Sequence, residues 1–413
     1  MACTAVWDNI PKATESLSKD IFNKAANMSL WLNLIEADEY PANTGLTQTG
    51  FIQTPLEMTA GEDWSAIALA TGSDGGQCDQ TYTQVDGGYK AYTYSPVQIN
   101  LAGEPICKDD LVFEHNPTGF LGGYIDRLSK RADRTWTRRL SKEYARFSRK
   151  YVAKGNLPYI DTVPTGANET LWVESGSVGV TLEQATSELT QEMLDQMADL
   201  LITEGAGEGN SNGWISYGPN GQTFPLLIGA NASQRIARNN NNYRDDLRFA
   251  DMGKGQGAEL LKKIGATRVL GNFRHVINQM PPRFTFATGK YTRVEQYVAD
   301  SSITSGAGQK INPLWVAAPY EAAFVINPNV FKRKIIRPLD AVGSASWNPS
   351  NYMGEWQWVT GAYKWDTSCV DPLDKKGRHF AQFKMASEPL ITQFGLTILF
   401  KRCAGNLTEV TCT

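Results

Sequence analysis

The sequence predicts an α+β fold organised around one long helix, and three observations predict it. From Thr118 to Lys154 the apolar residues Leu121, Ile125, Leu128, Ala132, Trp136, Leu140, Tyr144, Phe147 and Tyr151 recur every three or four positions, which draws one stripe down a helix. Elsewhere the period is two: Val97, Ile99 and Leu101 alternate with Gln98 and Asn100, and the runs from His379 to Met385 and from Phe394 to Phe400 read as strands. Between them, from Thr181 to Pro282, short helical and strand patterns follow one another as a mixed module.

The long helix has a start at Asn116-Pro117-Thr118 and a stop at Lys154-Gly155 with Pro158 beyond. At 1.5 Å per residue it would run about 50 Å. Between Asp126 and Lys154 it carries Arg127, Lys130, Arg131, Arg134, Arg138, Arg139, Lys142, Arg146, Arg149, Lys150 and Lys154 against three acids, Asp126, Asp133 and Glu143. That is +8 on one element of a chain whose net charge is −3, so the rest sums to −11. Lys and Arg spread along a rod suit a polyanion, because they neutralise phosphates without reading sequence. The alternative is a solvated face whose charges meet carboxylates of the same or a neighbouring subunit. Both readings stay open at this stage.

With 413 residues, 41% hydrophobic and 20% charged, the chain is a folded protein with room for two or three domains, and the composition excludes disorder. The start of the chain lacks a basic run followed by an apolar core, and the most apolar stretch, near Val316 to Ile326, is broken by Pro319 and Glu321. Neither a signal peptide nor a membrane span is expected. The six cysteines lie far apart, with no Cys-X-X-Cys and no Cys/His cluster, which argues against zinc. Cys3, Cys78 and Cys412, near the termini and in a Gly-rich loop, are candidates for disulfides between subunits in an oxidising setting, beside the plainer reading of idle thiols.

In chain order, Thr14 to Ile35 reads as an arm with one amphipathic helix, broken near Pro41. Leu46 to Leu101 reads as an extended hairpin with turns at Asp74-Gly75-Gly76 and Asp86-Gly87-Gly88. Such a hairpin has little core of its own, so a neighbouring subunit is expected to hold it. Thr181-Leu182-Glu183-Gln184 reads as a capping box opening a helix through Leu189, Met193, Met197 and Leu201. Glu183, Glu188, Glu192, Asp195, Asp199 and Glu204 make it acidic. The glycine runs 205–209 and 253–257 lack the context of a phosphate cradle and read as loops. His115, His275 and His379 fall in no catalytic or metal motif, and no enzyme signature emerges, so neither cofactor nor metal is expected.

The order of parts (arm, hairpin, long basic helix, mixed module, β-rich tail) resembles the HK97-fold major capsid proteins of tailed bacteriophages. The residues carrying the resemblance are Cys107-Lys108-Asp109-Asp110-Leu111, Leu189-Thr190-Gln191 with Leu200-Leu201, Phe224-Pro225-Leu226-Leu227-Ile228 with Arg244-Asp245-Asp246-Leu247-Arg248, Gly271-Asn272-Phe273-Arg274-His275, and Ala318-Pro319-Tyr320-Glu321 before Asn327-Pro328. The resemblance implies an arm over 1–45, an E-loop hairpin over 46–105, and a peripheral domain over 106–180 with a spine helix at 118–153. It further implies an axial domain over 181–314 and a return to the peripheral sheet over 315–413. It implies self-assembly into hexamers and pentamers of an icosahedral head around double-stranded DNA, formed in the host cytoplasm, with a portal and a separate scaffolding or decoration protein as partners. Lys90 is the only Lys or Arg of the hairpin, and the covalent cross-linking of some relatives is not carried over to it. Two rivals are a cargo shell like the encapsulins and an enzyme acting on a polyanion or glycan.

Overall fold

A computed structural model describes residues 30–41, 45, 47–53, 89–102, 106–107, 117–155, 157–160, 172–173, 182–203, 216–218, 221–239, 266–270, 272–300, 309–337, 348–349, 357–360 and 376–402. The elements begin with α1 (Leu30–Leu34), β1 (Ala37–Glu39), β2 (Gln48–Gln53), β3 (Tyr89–Tyr94), β4 (Val97–Ala102) and β5 (Ile106–Cys107). The long helix α2 (Pro117–Phe147) leads to β6 (Arg149–Lys154), β7 (Leu157–Ile160) and β8 (Trp172–Val173). Then come α3 (Gln191–Thr203), β9 (Ser216–Gly218), β10 (Gly221–Ile228) and α4 (Ala230–Asn239). The strands β11 (Ala266–Leu270), β12 (Phe273–Ile277), β13 (Arg283–Ala287), β14 (Lys290–Val294), β15 (Tyr297–Ala299) and β16 (Gln309–Ile311) precede the short helix α5 (Pro313–Ala317). The chain closes with β17 (Tyr320–Val325), β18 (Phe331–Ile335), β19 (Gln357–Thr360), β20 (Lys376–Pro389) and β21 (Leu396–Lys401).

Eleven strands form the larger sheet, in the order β11-β12-β10-β17-β13-β14-β8, with β21 joining β17 to β6. Its central strands β10, β17, β21 and β6 are buried on both faces, so their sequences read as near-continuous apolar runs, and the two-residue period decides which core each side chain enters. Ala323, Val325, Leu226, Ile228, Tyr151, Leu396 and Ile398 point to one side, where they meet Met193, Leu194, Met197 and Leu201 of α3 and Ile236 of α4. Ala322, Phe324, Leu227, Val152 and Leu399 point to the other, where they meet Leu128, Ala132, Trp136, Leu140 and Tyr144 of α2. The two helical layers therefore lie on opposite faces of one sheet. Each of these large buried side chains contributes about 1.5–3 kcal/mol by leaving water.

The second, six-stranded sheet has β20 at its centre, paired with β18, β19, β4 and β5, and β1 outside β18. The fourteen residues of β20 return from near the end of the chain to the strand that precedes α2, so the first and last parts of the sequence share one sheet. The hairpin strands β2 and β3 pair with each other. The base of the hairpin packs on its own chain: Tyr94 is buried against Tyr40 and Ala386, its hydroxyl donates to Glu388 at 3.3 Å, and Tyr92 meets Phe147 edge-on. Glu388 in turn holds Lys334 at 3.0 Å, which also reaches Asp38 at 3.2 Å. A partner subunit is thus not needed to hold the base of the hairpin. The span 54–88, where the turns were expected, lies outside the described residues.

Two helices differ from their sequence reading. The long helix ends at Phe147 and does not continue to 153. Ser148 makes its last helical bond to the Tyr144 carbonyl, and Arg149 N–H instead donates to the Gly395 carbonyl at 3.0 Å as β6 joins β21. Nothing local stops the helix. The four-residue step from Phe147 to Tyr151 fits a helix, but Tyr151 and Ala153 alternate with Val152 as a strand buried on both sides, and sheet pairing prevails. The acidic helix begins nine residues late, at Gln191. Residues 182–190 are neither helix nor strand, with Leu182 and Thr186 N–H bonded to the Gly289 and Ala153 carbonyls, so no helix opens after the Thr181 capping box. The Thr190 hydroxyl accepts from Met193 N–H at 3.4 Å and caps the helix there.

Candidate functional site

Along α2, residues three and four apart share a face. The buried stripe Leu128, Ala132, Trp136, Leu140 and Tyr144 faces the sheet, and the opposite face presents Arg127, Lys130, Arg131, Arg134, Arg138 and Lys142. Six cations thus occupy one row about 22 Å long at 1.5 Å per residue. Arg127, Lys130, Arg131 and Arg138 are exposed, while Arg134 and Lys142 are half-buried. Two of the six are steadied where β14 gives way to β15: the Arg134 guanidinium lies 4.1 Å over the ring of Tyr297, the first residue of β15, and Arg138 pairs with Glu295 between the strands at 2.9 Å. Both members of the latter pair are about half exposed, so it fixes geometry more than it stabilises.

The other four sequence candidates lie elsewhere. Arg139 and Arg146 turn to the buried Glu143 carboxylate, at 2.8 and 3.7 Å. Arg149 and Lys150 are not on the helix at all: both are buried in β6, and the Lys150 ammonium donates to the Arg146 carbonyl at 3.4 Å, capping the end of α2. These two are removed from any exposed cationic surface. Beyond them, Lys154 pairs with Glu183. Glu188, one of the acids of the acidic segment, binds Arg235 of its own chain through two bonds of 2.8 and 2.9 Å.

The outer face of α3 has the opposite sign. Glu192, Asp195, Gln196, Asp199 and Ile202 are exposed at helical spacing, and the helix contains no Lys or Arg. Because α2 and α3 pack on opposite faces of the same sheet, their outer rows point away from each other. Among the described residues, the large sheet carries a basic row on its α2 side and an acidic row on its α3 side.

No sequence signal announced a further cluster, whose members are distant in the chain. Glu321, at the start of β17, is buried between Arg283 at 3.2 Å and Arg402 at 3.9 Å. Burial pushes the Glu321 carboxyl upward against the two guanidiniums, and burial likewise lowers Arg283. A Cβ on Gly229 would lie 2.2 Å from the Glu321 Oε1, so only glycine lets the carboxylate sit there. The arginines reach past the acid to backbone carbonyls: Arg283 donates to Trp315 at 3.2 Å, and Arg402 to Val316 at 2.6 Å and Ala318 at 3.2 Å.

Cys3, Cys78 and Cys412 lie outside the described residues, as do both glycine runs. His275 is buried, its Nδ1 2.9 Å from the Ser233 hydroxyl. Among the described residues no group of three His, Cys, Asp or Glu could hold a metal ion, and no helix is long and apolar enough to cross a membrane.

No protein-family model and no curated protein matches this chain. Solved structures similar to it include the capsid of Ralstonia phage GP4, 9% identical with a TM-score of 0.46, covering 89% of this chain and 87% of that one. The capsid asymmetric unit of cyanophage Pam1 is 10% identical with a TM-score of 0.46, covering 92% and 93%. A virus-like particle from Pyrococcus furiosus is 10% identical with a TM-score of 0.37, covering 94% and 98%.

Proposed function

We propose that this chain is a major capsid protein of a tailed bacteriophage, whose copies assemble as hexamers and pentamers into an icosahedral head enclosing double-stranded DNA. The observation that carries the reading is the opposed charge on the two sides of one sheet. A closed shell has an inside and an outside, and a subunit with a basic row on one side of its sheet offers that side to an enclosed polyanion. The row suits a duplex without reading its sequence, since Lys and Arg spread along a helix neutralise phosphates wherever they meet them.

In this reading the protein is structural and non-enzymatic, and it resides in the virion after assembly in the host cytoplasm. The span 46–105, anchored on its own chain at its base, is the loop that meets a neighbouring subunit, 106–180 and 315–413 form the peripheral domain, and 181–314 forms the axial one. A portal and a separate scaffolding or decoration protein complete the assembly. Repetition makes modest contacts between copies sufficient.

The test is a triple variant, Arg127→Gln, Lys130→Gln and Arg131→Gln, in particles assembled beside the parent. Gln is a good helix former, so the fold is retained. Closed shells are expected to form and to bind duplex DNA more weakly, with the slope of log affinity against log salt reduced by up to about 3, at roughly 0.9 per phosphate contact. Folded subunits that no longer close shells would assign the row to contacts between copies. Unchanged shells with unchanged DNA binding would overturn the reading of the row. Parent particles devoid of nucleic acid would favour a shell for protein cargo.

A further inference from the structure

We propose that the turn from Ile311 to Ala318 is a docking surface for a second copy of this chain, held in shape from behind by Glu321; the proposal rests on the reading of the protein as a shell subunit. Ile311, Leu314 and Val316 are 54%, 71% and 50% exposed, three of the six large apolar side chains most open to water among the described residues. Pro313 between them and Ala317 just after them are also exposed. An ordinary surface turn presents polar side chains to water and uses them to satisfy its own backbone. This one does the reverse.

Its polar groups are turned inward and used for fixation. The Asn312 side chain accepts from Leu314 N–H at 3.0 Å and donates to the Glu295 carbonyl at 2.8 Å, while Asn312 N–H donates to the Gln296 carbonyl at 2.8 Å. Trp315 is buried under the Arg283 guanidinium, 3.5 Å from its ring centre. The carbonyls of Trp315, Val316 and Ala318 are taken by Arg283 and Arg402, and both arginines are gathered by the one carboxylate of Glu321. A buried acid with two guanidiniums is costly to desolvate. Here it fixes a turn whose outward side chains are all apolar, the arrangement of a surface organised before its partner arrives.

The area of the patch decides the occupant. Three aliphatic side chains, half or more exposed, make a patch on the order of the few hundred Å² that a monomer's largest apolar patch reaches. A standard stable interface needs about 800 Å² from each partner. The patch is too small to hold a lone dimer or a tightly bound foreign protein, and it fits a contact that is repeated around a closed assembly. Glu321 acts as a positioning residue in that contact.

The test uses the full chain. Leu314→Ser with Val316→Ser should leave unassembled subunits folded, with an unchanged melting profile, because both side chains are exposed. The double variant should need at least about tenfold more protein to form particles, the factor that corresponds to 1.4 kcal/mol per contact. In a second variant, Leu314→Cys, labelling of residue 314 by a thiol reagent, read on the peptide by mass spectrometry, should be rapid in free subunits and suppressed in particles. Particles of the serine variant forming at the parent's concentration, or equal labelling in both states, would overturn the docking surface while leaving the shell reading intact. A parent protein that forms no particles would instead remove the reading on which it rests.

Discussion

Gly395→Ala tests the joint between the long helix and the sheet. The backbone of Gly395, at φ −117° and ψ 147°, is one that alanine adopts, so the effect of the substitution is steric. Its Cβ would lie 2.2 Å from the Tyr144 hydroxyl oxygen, 2.5 Å from Val330 Cγ2 and 2.9 Å from Tyr144 Cζ. Tyr144 cannot retreat cheaply. It is fully buried, its hydroxyl donates to the Val325 carbonyl at 2.5 Å, and it accepts from Asn327 N–H at 3.0 Å. Overpacking costs about 1–3 kcal/mol, and leaving the two backbone groups without their partner adds about 1–3 kcal/mol. The expected loss is therefore about 2–6 kcal/mol, measured by urea unfolding of unassembled subunits with tryptophan fluorescence. Tyr144→Phe alone should cost about 1–3 kcal/mol. Because it removes the atom nearest the new methyl, the two changes together should cost less than their sum by at least about 1 kcal/mol. Strict additivity, or a Gly395→Ala protein within about 0.5 kcal/mol of the parent, would refute this account of the joint.

Burial drives the phenols of Tyr144 and Tyr151 upward and that of Tyr291 up to about 12, above the ordinary value of 10. The native state thus keeps these protons longer than the unfolded chain does, and the stability this confers is complete below pH 10 and lost as pH rises from 10 toward 12. A late set of tyrosines should ionise together with unfolding when absorbance at 295 nm and circular dichroism are followed in parallel; smooth ionisation near pH 10 in a folded protein would contradict this. Glu143→Gln leaves Arg139 and Arg146 without their shared carboxylate, 5% exposed, and should cost about 1–3 kcal/mol in the same urea assay. A neutral outcome would mean that the two arginines find other acceptors on the surface.

The sequence by itself determined the class of fold, the stripe that seats α2 and the cationic row opposite it. Leu128, Ala132, Trp136, Leu140 and Tyr144 are bound to one face by the 3.6-residue period, and Arg127, Lys130, Arg131, Arg134 and Arg138 must then fall on the other. It also set Val97 to Leu101, Phe224 to Ile228 and the last long strands, because a period of two or a short buried run leaves little choice. What it could not decide was where a pattern compatible with two structures stops. Arg149 and Lys150 continue the basic run, yet pairing of β6 with β21, residues nearly 250 positions away, takes them out of the helix and buries them. The capping box at Thr181 is locally sound, yet Gly289 and Ala153 supply other partners for its neighbours' N–H groups. Glu321, Arg283, Arg402 and Gly229 meet only because three strands and a helix start converge, and no spacing in the chain records that meeting. Periodicity is a property of neighbours along the chain and is legible there, whereas sheet partners and buried charge clusters are chosen by long-range burial of area, which becomes known only when the strands are placed side by side.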